Sequence, residues 1–344
     1  MVYNKDEQRN RGDEMKTIAD IAKLAGVAKS TVSRYLNGGS VSEKMKQRLE
    51  AIIEETGYTP NTFAQSLKAK RTNMIGTIVP HLDSYEISQT LTGIDNELRK
   101  WNCHMLVTNT NQNIEREIEL LYMLAKQRVA GIILLATQIT DAHLQAFNEI
   151  SVPVLLVGQQ HEEVHSLVHN DEEAGYAIGK YIIEQGHRRL AFLGVSEENE
   201  AIGVKRKEGF KRAVREANGC EVHFFETGFT MEEAAEGALA VFEGYFPSAL
   251  ICATDDIAIG AVKAAYKKGM HVPANISVTG FGGYAITKMM NPALTTVKLH
   301  FMEAGETAAR NIIKLANGED IPKLTYSNFE IIARESVDKR FVPG

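Results

Sequence analysis

Residues 17–37 read Thr-Ile-Ala-Asp-Ile-Ala-Lys-Leu-Ala-Gly-Val-Ala-Lys-Ser-Thr-Val-Ser-Arg-Tyr-Leu-Asn. The spacing predicts two short helices around a glycine turn. The Thr17 hydroxyl can accept an orphan backbone N–H at the first helix start. Ile18, Ile21, Ala22 and Ala25 recur at helical spacing as one apolar stripe. Gly26 suits a tight, left-handed turn, and Val27 fills the angle between the helices. The second helix then buries Val32 and Leu36 and leaves Lys29, Ser30, Ser33 and Arg34 on its outer side. That is a helix-turn-helix, whose second helix lies in the DNA major groove.

Paired short helices also occur in ordinary helical domains, so charge has to decide. From Lys16 to Arg71 there are ten Lys/Arg against five Asp/Glu, whereas Thr72 to Gly344 carries 25 basic and 35 acidic residues. A basic head on an acidic body fits a nucleic-acid partner for the head alone. At 344 residues the chain exceeds one typical core. No apolar run approaches the roughly 20 residues that span a bilayer, and the polar N-terminus lacks a secretory hydrophobic region. These features point to a cytoplasmic protein. Cys103, Cys220 and Cys252 are widely spaced in apolar runs, which implies buried free thiols and no metal site.

Ser42 is placed to cap a third helix from Glu43 to about Thr56, with Met45, Leu49, Ile52 and Ile53 inside and Gly57 at its end. Tyr58-Thr59-Pro60-Asn61 breaks the helix, and residues 62–70 can form one more short helix that is marginal alone. Beyond Arg71, apolar runs at 74–79, 103–108, 131–136, 152–157, 190–194, 249–253 and 276–280 alternate with amphipathic stretches near 86–100, 114–128, 173–186, 204–217, 231–245 and 256–269. Such alternation predicts parallel sheets covered on both faces, in two doubly wound α/β lobes. The expected order is a disordered leader (1–14), a helix-turn-helix domain (15–58), a hinge helix and linker (59–71), a two-lobed effector and dimerisation domain (72–336) and a tail (337–344).

Specific motifs add to this layout: Thr31-Val32-Ser33-Arg34 with Leu36-Asn37, Gly57-Tyr58-Thr59-Pro60-Asn61, and Ala64-x-x-Leu67. Further along stand Gly186-His187-Arg188-Arg189, Arg206-x-x-Gly209-Phe210, Asp255 with Ala258-x-Gly260, and Asn291-Pro292-x-Leu294-Thr295-Thr296-Val297. The chain resembles the lactose/galactose-repressor (LacI/GalR) family over 16–336. Val79–Ser84, Phe192–Val195 and Ile251–Asp255 make it most like the trehalose-operon-repressor branch. The resemblance implies lobes of periplasmic-binding-protein type and a cytoplasmic homodimer that represses carbohydrate genes and leaves its operator on binding a sugar or sugar phosphate.

For DNA, it implies base reading by Lys29, Ser30 and Arg34, with Thr17, Thr31, Ser33 and Asn37 as further contacts. Asn61, Ala64 and Leu67 belong to the hinge, where Leu67 would wedge into the minor groove. Moving the lobes would separate two hinge helices and weaken binding. For the effector, residues at or beyond strand ends are the candidates: His81, Asp83, Ser84 and Tyr85, then Gln159, then Asn170 and Asp171. Arg206 opens a helix, Thr254 and Asp255 follow a strand, and Tyr284 follows Gly280. Arg206 suits a bidentate role on hydroxyls or an anion, against the alternative of an exposed helix charge beside Lys205 and Lys207. Asp255 is either a ligand or a cap for the helix after it. Two departures from the family matter. Gly282-Gly283 replaces acidic residues, and His81 and Gln159 align roughly with arginines of the phosphate-sensing branch, which weakens the case for a phosphorylated ligand.

Two other readings stay open, and an enzyme is set aside. Gly280-Phe281-Gly282-Gly283 lacks the spacing of a nicotinamide loop, and no catalytic triad or metal spacing is present, so no enzyme, cofactor or metal is expected. A global carbon regulator that binds a phosphocarrier protein and a purine-dependent repressor share the same layout.

Overall fold

The computed structural model describes residues 16–36, 39–58 and 72–340. The chain divides into two compact units, Met1–Arg71 and Thr72–Gly344. In the first, α1 (Ile18–Ala25) is closed at its start by a reciprocal capping box between Thr17 and Asp20, and at its end by Gly26 at φ 63°. The left-handed turn leads into α2 (Lys29–Leu36), and α3 (Glu43–Thr56) follows. Ile21, Ala22, Ala25, Val32 and Leu49 form the buried centre, with Val27, Leu36, Met45, Ile52 and Ile53 packed around it. Ser42 occupies the N-cap position of α3, but its side chain makes no capping hydrogen bond; only its carbonyl accepts, from Met45 and Lys46.

The second unit holds two α/β lobes. In the first lobe, β1 (Met74–Val79), α4 (Tyr85–Lys100), β2 (His104–Asn109), α5 (Ile114–Lys126), β3 (Gly131–Leu134), α6 (Asp141–Glu149), β4 (Val154–Val157) and β5 (His165–His169) run in order. The second lobe continues with α7 (Asp171–Glu184), β6 (Arg189–Gly194), a π-helical turn (Glu200–Lys205), α8 (Arg206–Glu216), β7 (Glu221–Glu226), α9 (Met231–Gly244), β8 (Ala249–Cys252), α10 (Asp255–Lys267), β9 (Ser277–Gly282) and β10 (Thr295–Leu299). Then α11 (Phe301–Ala316) and β11 (Leu324–Ser327) return to the first lobe, and β12 (Phe329–Ile332) joins the second. The sheet orders are β11-β5-β4-β3-β1-β2 and β12-β10-β9-β8-β6-β7. Pairing is parallel throughout, except for antiparallel β10–β12.

Period-two alternation explains the layering of the first lobe. Ile75, Val79 and Ile133 pack with α4 and α11, while Ile78, Ile132 and Leu134 pack with α5 and α6. The second lobe has one continuous core, built from β6, β8, β9 and the helices around them. The chain passes between lobes after β5, after β10 and after β11, and these crossings are bonded together. His169 Nδ1 lies 2.5 Å from Ser327 Oγ, and the His300 N–H donates to Asn328 O at 3.4 Å.

Several sequence expectations are corrected. Strands β5, β7 and β10–β12 and helices α6 and α11 are additions to the expected alternation; α11 has an apolar face as regular as that of α1 and was legible in the sequence. The helix expected near 204–217 is a π-helical turn followed by α8. Only Cys252 is buried; Cys103 and Cys220, each just ahead of a strand, are partly exposed. Residues 337–340 are no free tail. The Asp338 carbonyl accepts from His187 at 2.9 Å, and the Arg340 N–H donates to Gln185 O at 2.7 Å. The expected leader (1–14) and hinge (59–71) lie outside the described residues. No helix among the described residues is long and apolar enough to cross a membrane.

Candidate functional site

Two surfaces carry chemistry. On the first unit, burial of Val32 turns α2 so that Lys29 and Ser30, in its first turn, and Arg34, in its last, are exposed. Thr31 and Ser33 are half-buried flanks. The Thr31 N–H at the start of α2 is spent on the Ala28 carbonyl at 2.9 Å, so it is the two cations, with the Ser30 hydroxyl, that suit an anionic surface. Thr17 is exposed, but its hydroxyl bonds Asp20 Oδ2 at 2.7 Å and so serves the capping box. Asn37, Asn61, Ala64 and Leu67 lie outside the described residues.

The second surface is a cavity of about 240 Å³ at the carboxyl ends of β4 and β5, continuing across the crossing into α7 and the π-helical turn. This is where open α/β sheets bind ligands. Gln159, Gln160 and Asn170 line it, and among the described residues none of these carboxamides has a hydrogen-bond partner. Asn170 stands at the N-cap position of α7 without capping it. Asp171, Glu172, Glu173, Glu200 and Lys205 supply the charges of the wall, and Tyr326 an aromatic edge.

Arg206 is buried, which overturns the exposed-charge alternative. Its Nε donates to Asp171 Oδ1 and an Nη to the Ala253 carbonyl, each at 2.7 Å, and its guanidinium lies 5.1 Å from the centre of the Phe281 ring. It therefore ties α7, α8 and the end of β8 behind the cavity wall.

The other candidates divide by role. Tyr85 and Tyr284 meet across the lobes, ring centroids 4.6 Å apart at a 38° tilt. Burial raises the Tyr284 hydroxyl well above its ordinary pKa, and Glu86 adds to this. Ser84 and Thr254 are helix caps, accepting from Ile87 and Ile257. Asp255 is neither a cap nor open to a ligand. It is fully buried, accepting from Thr296 Oγ1 at 2.6 Å and the Tyr284 N–H at 2.8 Å. Burial pushes its carboxyl up to about 6 against those hydrogen bonds. His81 Nδ1 contacts Asp83 Oδ1 at 2.9 Å, with Asp83 turned to solvent. Sequence reasoning missed Gln160, His169, Glu172, Glu173, Glu200, Lys205 and Tyr326. Burial holds His169 below its ordinary pKa, despite Asp171 and Glu86. Gln160, His169, Glu172 and Lys205 adjoin named candidates and were findable as neighbours; Tyr326 had no local signal.

Comparison with known proteins places these surfaces. Residues 17–61 match the family model "Bacterial regulatory proteins, lacI family", and residues 180–337 match the periplasmic binding protein-like domain. The sucrose operon repressor of Staphylococcus xylosus is 42% identical over 86% of this chain and 92% of its own. Catabolite control protein A of Priestia megaterium is 28% identical over 89% and 94%. The structure of the lac repressor dimer bound to operator and the anti-inducer ONPF superposes with a TM-score of 0.87, at 24% identity over 94% of this chain and 100% of that one.

Proposed function

Because the chain belongs to the lacI family of bacterial regulatory proteins, we propose that it is a cytoplasmic, homodimeric DNA-binding repressor of carbohydrate-utilisation genes. In this reading a sugar or sugar phosphate entering the lobe cavity releases it from its operator. The observation that carries the reading is α2: it buries Val32 and exposes Lys29, Ser30 and Arg34. Arginine and lysine donate to guanine O6 and N7 in the major groove, whereas hydroxyls such as those of Ser30, Thr31 and Ser33 position the helix on phosphates. One such helix reads only a few base pairs, so a palindromic site calls for two chains. On the resemblance alone, Asn37, Asn61, Ala64 and Leu67 are assigned to DNA.

Release follows from linkage: a ligand that prefers the DNA-free arrangement weakens operator binding, by about 1–3 kcal/mol for a typical coupling. The unpaired carboxamides of the cavity suit vicinal hydroxyls. No cofactor and no catalytic step are assigned. The test is a gel-shift selection of operator fragments by the full chain, followed by substitution. Arg34→Ala is expected to cost about 1–3 kcal/mol at one base pair and to relax specificity there. Uniform weakening on all sequences would instead make Arg34 a phosphate contact, and failure to select any sequence would overturn the reading.

A further inference from the structure

We propose that the cavity takes an uncharged sugar and discriminates against its phosphate ester; the inference rests on the sugar-responsive reading above. It follows from where the charges of the wall are spent. Of the side chains with fixed charge lining the cavity, Asp171, Glu172, Glu173 and Glu200 are acidic and only Lys205 is basic. Lys205 Nζ already lies 3.5 Å from Glu200. Behind the wall, Arg206 is held by Asp171 at 2.7 Å, and Arg212 reaches Glu172 at 3.2 Å and Glu173 at 2.7 Å. Each of these cations is matched by a carboxylate, so a phosphate would have to break an ion pair to gain one.

The N-terminus of α7, which opens onto the cavity, would otherwise welcome an anion. Its first turn carries Asp171, Glu172 and Glu173, so that dipole is already answered. His169 is buried and held towards its neutral form, which removes another source of positive charge. A phosphate ester brings between one and a half and two negative charges near neutral pH, into a wall with more carboxylates than cations. A sugar brings hydroxyl donors, which carboxylates accept, and vicinal pairs that Gln159, Gln160 and Asn170 can bridge. The same arrangement that binds one excludes the other.

Isothermal titration of the full chain with sucrose, trehalose, maltose and cellobiose, and with the 6-phosphates of sucrose and trehalose, tests this. At least one free disaccharide is expected to bind, and phosphorylated partners to bind tenfold or more weakly. The Glu173→Gln/Glu200→Gln variant keeps side-chain volume and hydrogen bonding, alters two half-exposed positions, and should narrow that gap. A phosphate ester that binds as tightly as its parent sugar, or a gap unchanged in the double variant, overturns the inference while leaving sugar response intact. If no sugar or ester binds or releases operator DNA, the sugar-responsive reading itself fails, and this inference with it.

Discussion

Arg206 and Asp255 show how much a single buried charge can decide. Arg206 and Asp171 have side chains only 4% and 5% exposed, so neither charge is solvated if the other is removed. Breaking such a pair costs about 3–5 kcal/mol. Arg206→Ala is therefore expected to lower the unfolding free energy of the lobes by about that amount, read from urea titrations, and to abolish the sugar response. A variant with full stability would show that Asp171 finds another partner. Asp255 works in the opposite sense. Its folded pKa of about 6 exceeds the ordinary carboxyl value, so protons favour the folded state. Its contribution is fully present below about pH 4 and is lost as pH rises through 6, amounting to about 2–3 kcal/mol. Asp255→Asn removes that titration. The stability of the native chain minus that of the variant should fall between pH 4 and 7, and a difference that grows with pH would contradict the assignment.

At the scale of elements, helix contacts place the wall of the cavity. The helices α7 and α8 approach so closely that a Cβ on Gly209 would lie 1.8 Å from the Glu172 carbonyl oxygen, and one on Gly175 2.1 Å from that of Arg206. The obstacle is backbone in both cases and cannot rotate away. Gly209→Ala is expected to destabilise the lobes by about 1–3 kcal/mol, the usual cost of overpacking. Because Asp171 and Arg206 stand at the starts of these helices, ligand affinity should fall too. Gly244→Ala, which meets nothing within 4 Å, is the control. In the first unit, α1 depends on its cap: Thr17→Ala should cost about 0.5–2 kcal/mol. Circular dichroism melting of the full chain would show this as an earlier loss of helix, with little shift in the lobe transition. The cap was legible because Thr17 stands just ahead of the apolar stripe, although its partner Asp20 was not foreseen; the glycine contacts were not legible, since Gly175 and Gly209 belong to different helices.

Across the whole molecule, function depends on how the lobes are joined. Between Tyr85 at the start of α4 and Tyr284 beyond β9, a ring contact bridges them. Aromatic pairs contribute about 0.5–1.5 kcal/mol beyond their burial. Tyr85→Ala should therefore change effector affinity by up to about tenfold while leaving the unliganded lobes folded, a result that titration and scattering in parallel would check. Local pattern determined much of this protein. Periodicity, caps and breakers act over a few residues, and they marked the helix-turn-helix, most long helices and the hydrophobic strands on which the two-lobed reading rests. They could not mark β11, whose Tyr326 pairs in register with Val168 from a segment far earlier in the chain. Nor could they tell that Arg206 would be buried against Asp171, or that Asp255 would brace the Tyr284 loop. Those outcomes depend on which distant groups share a low-dielectric interior, where a charge must find its partner, and only the tertiary structure brings those partners together.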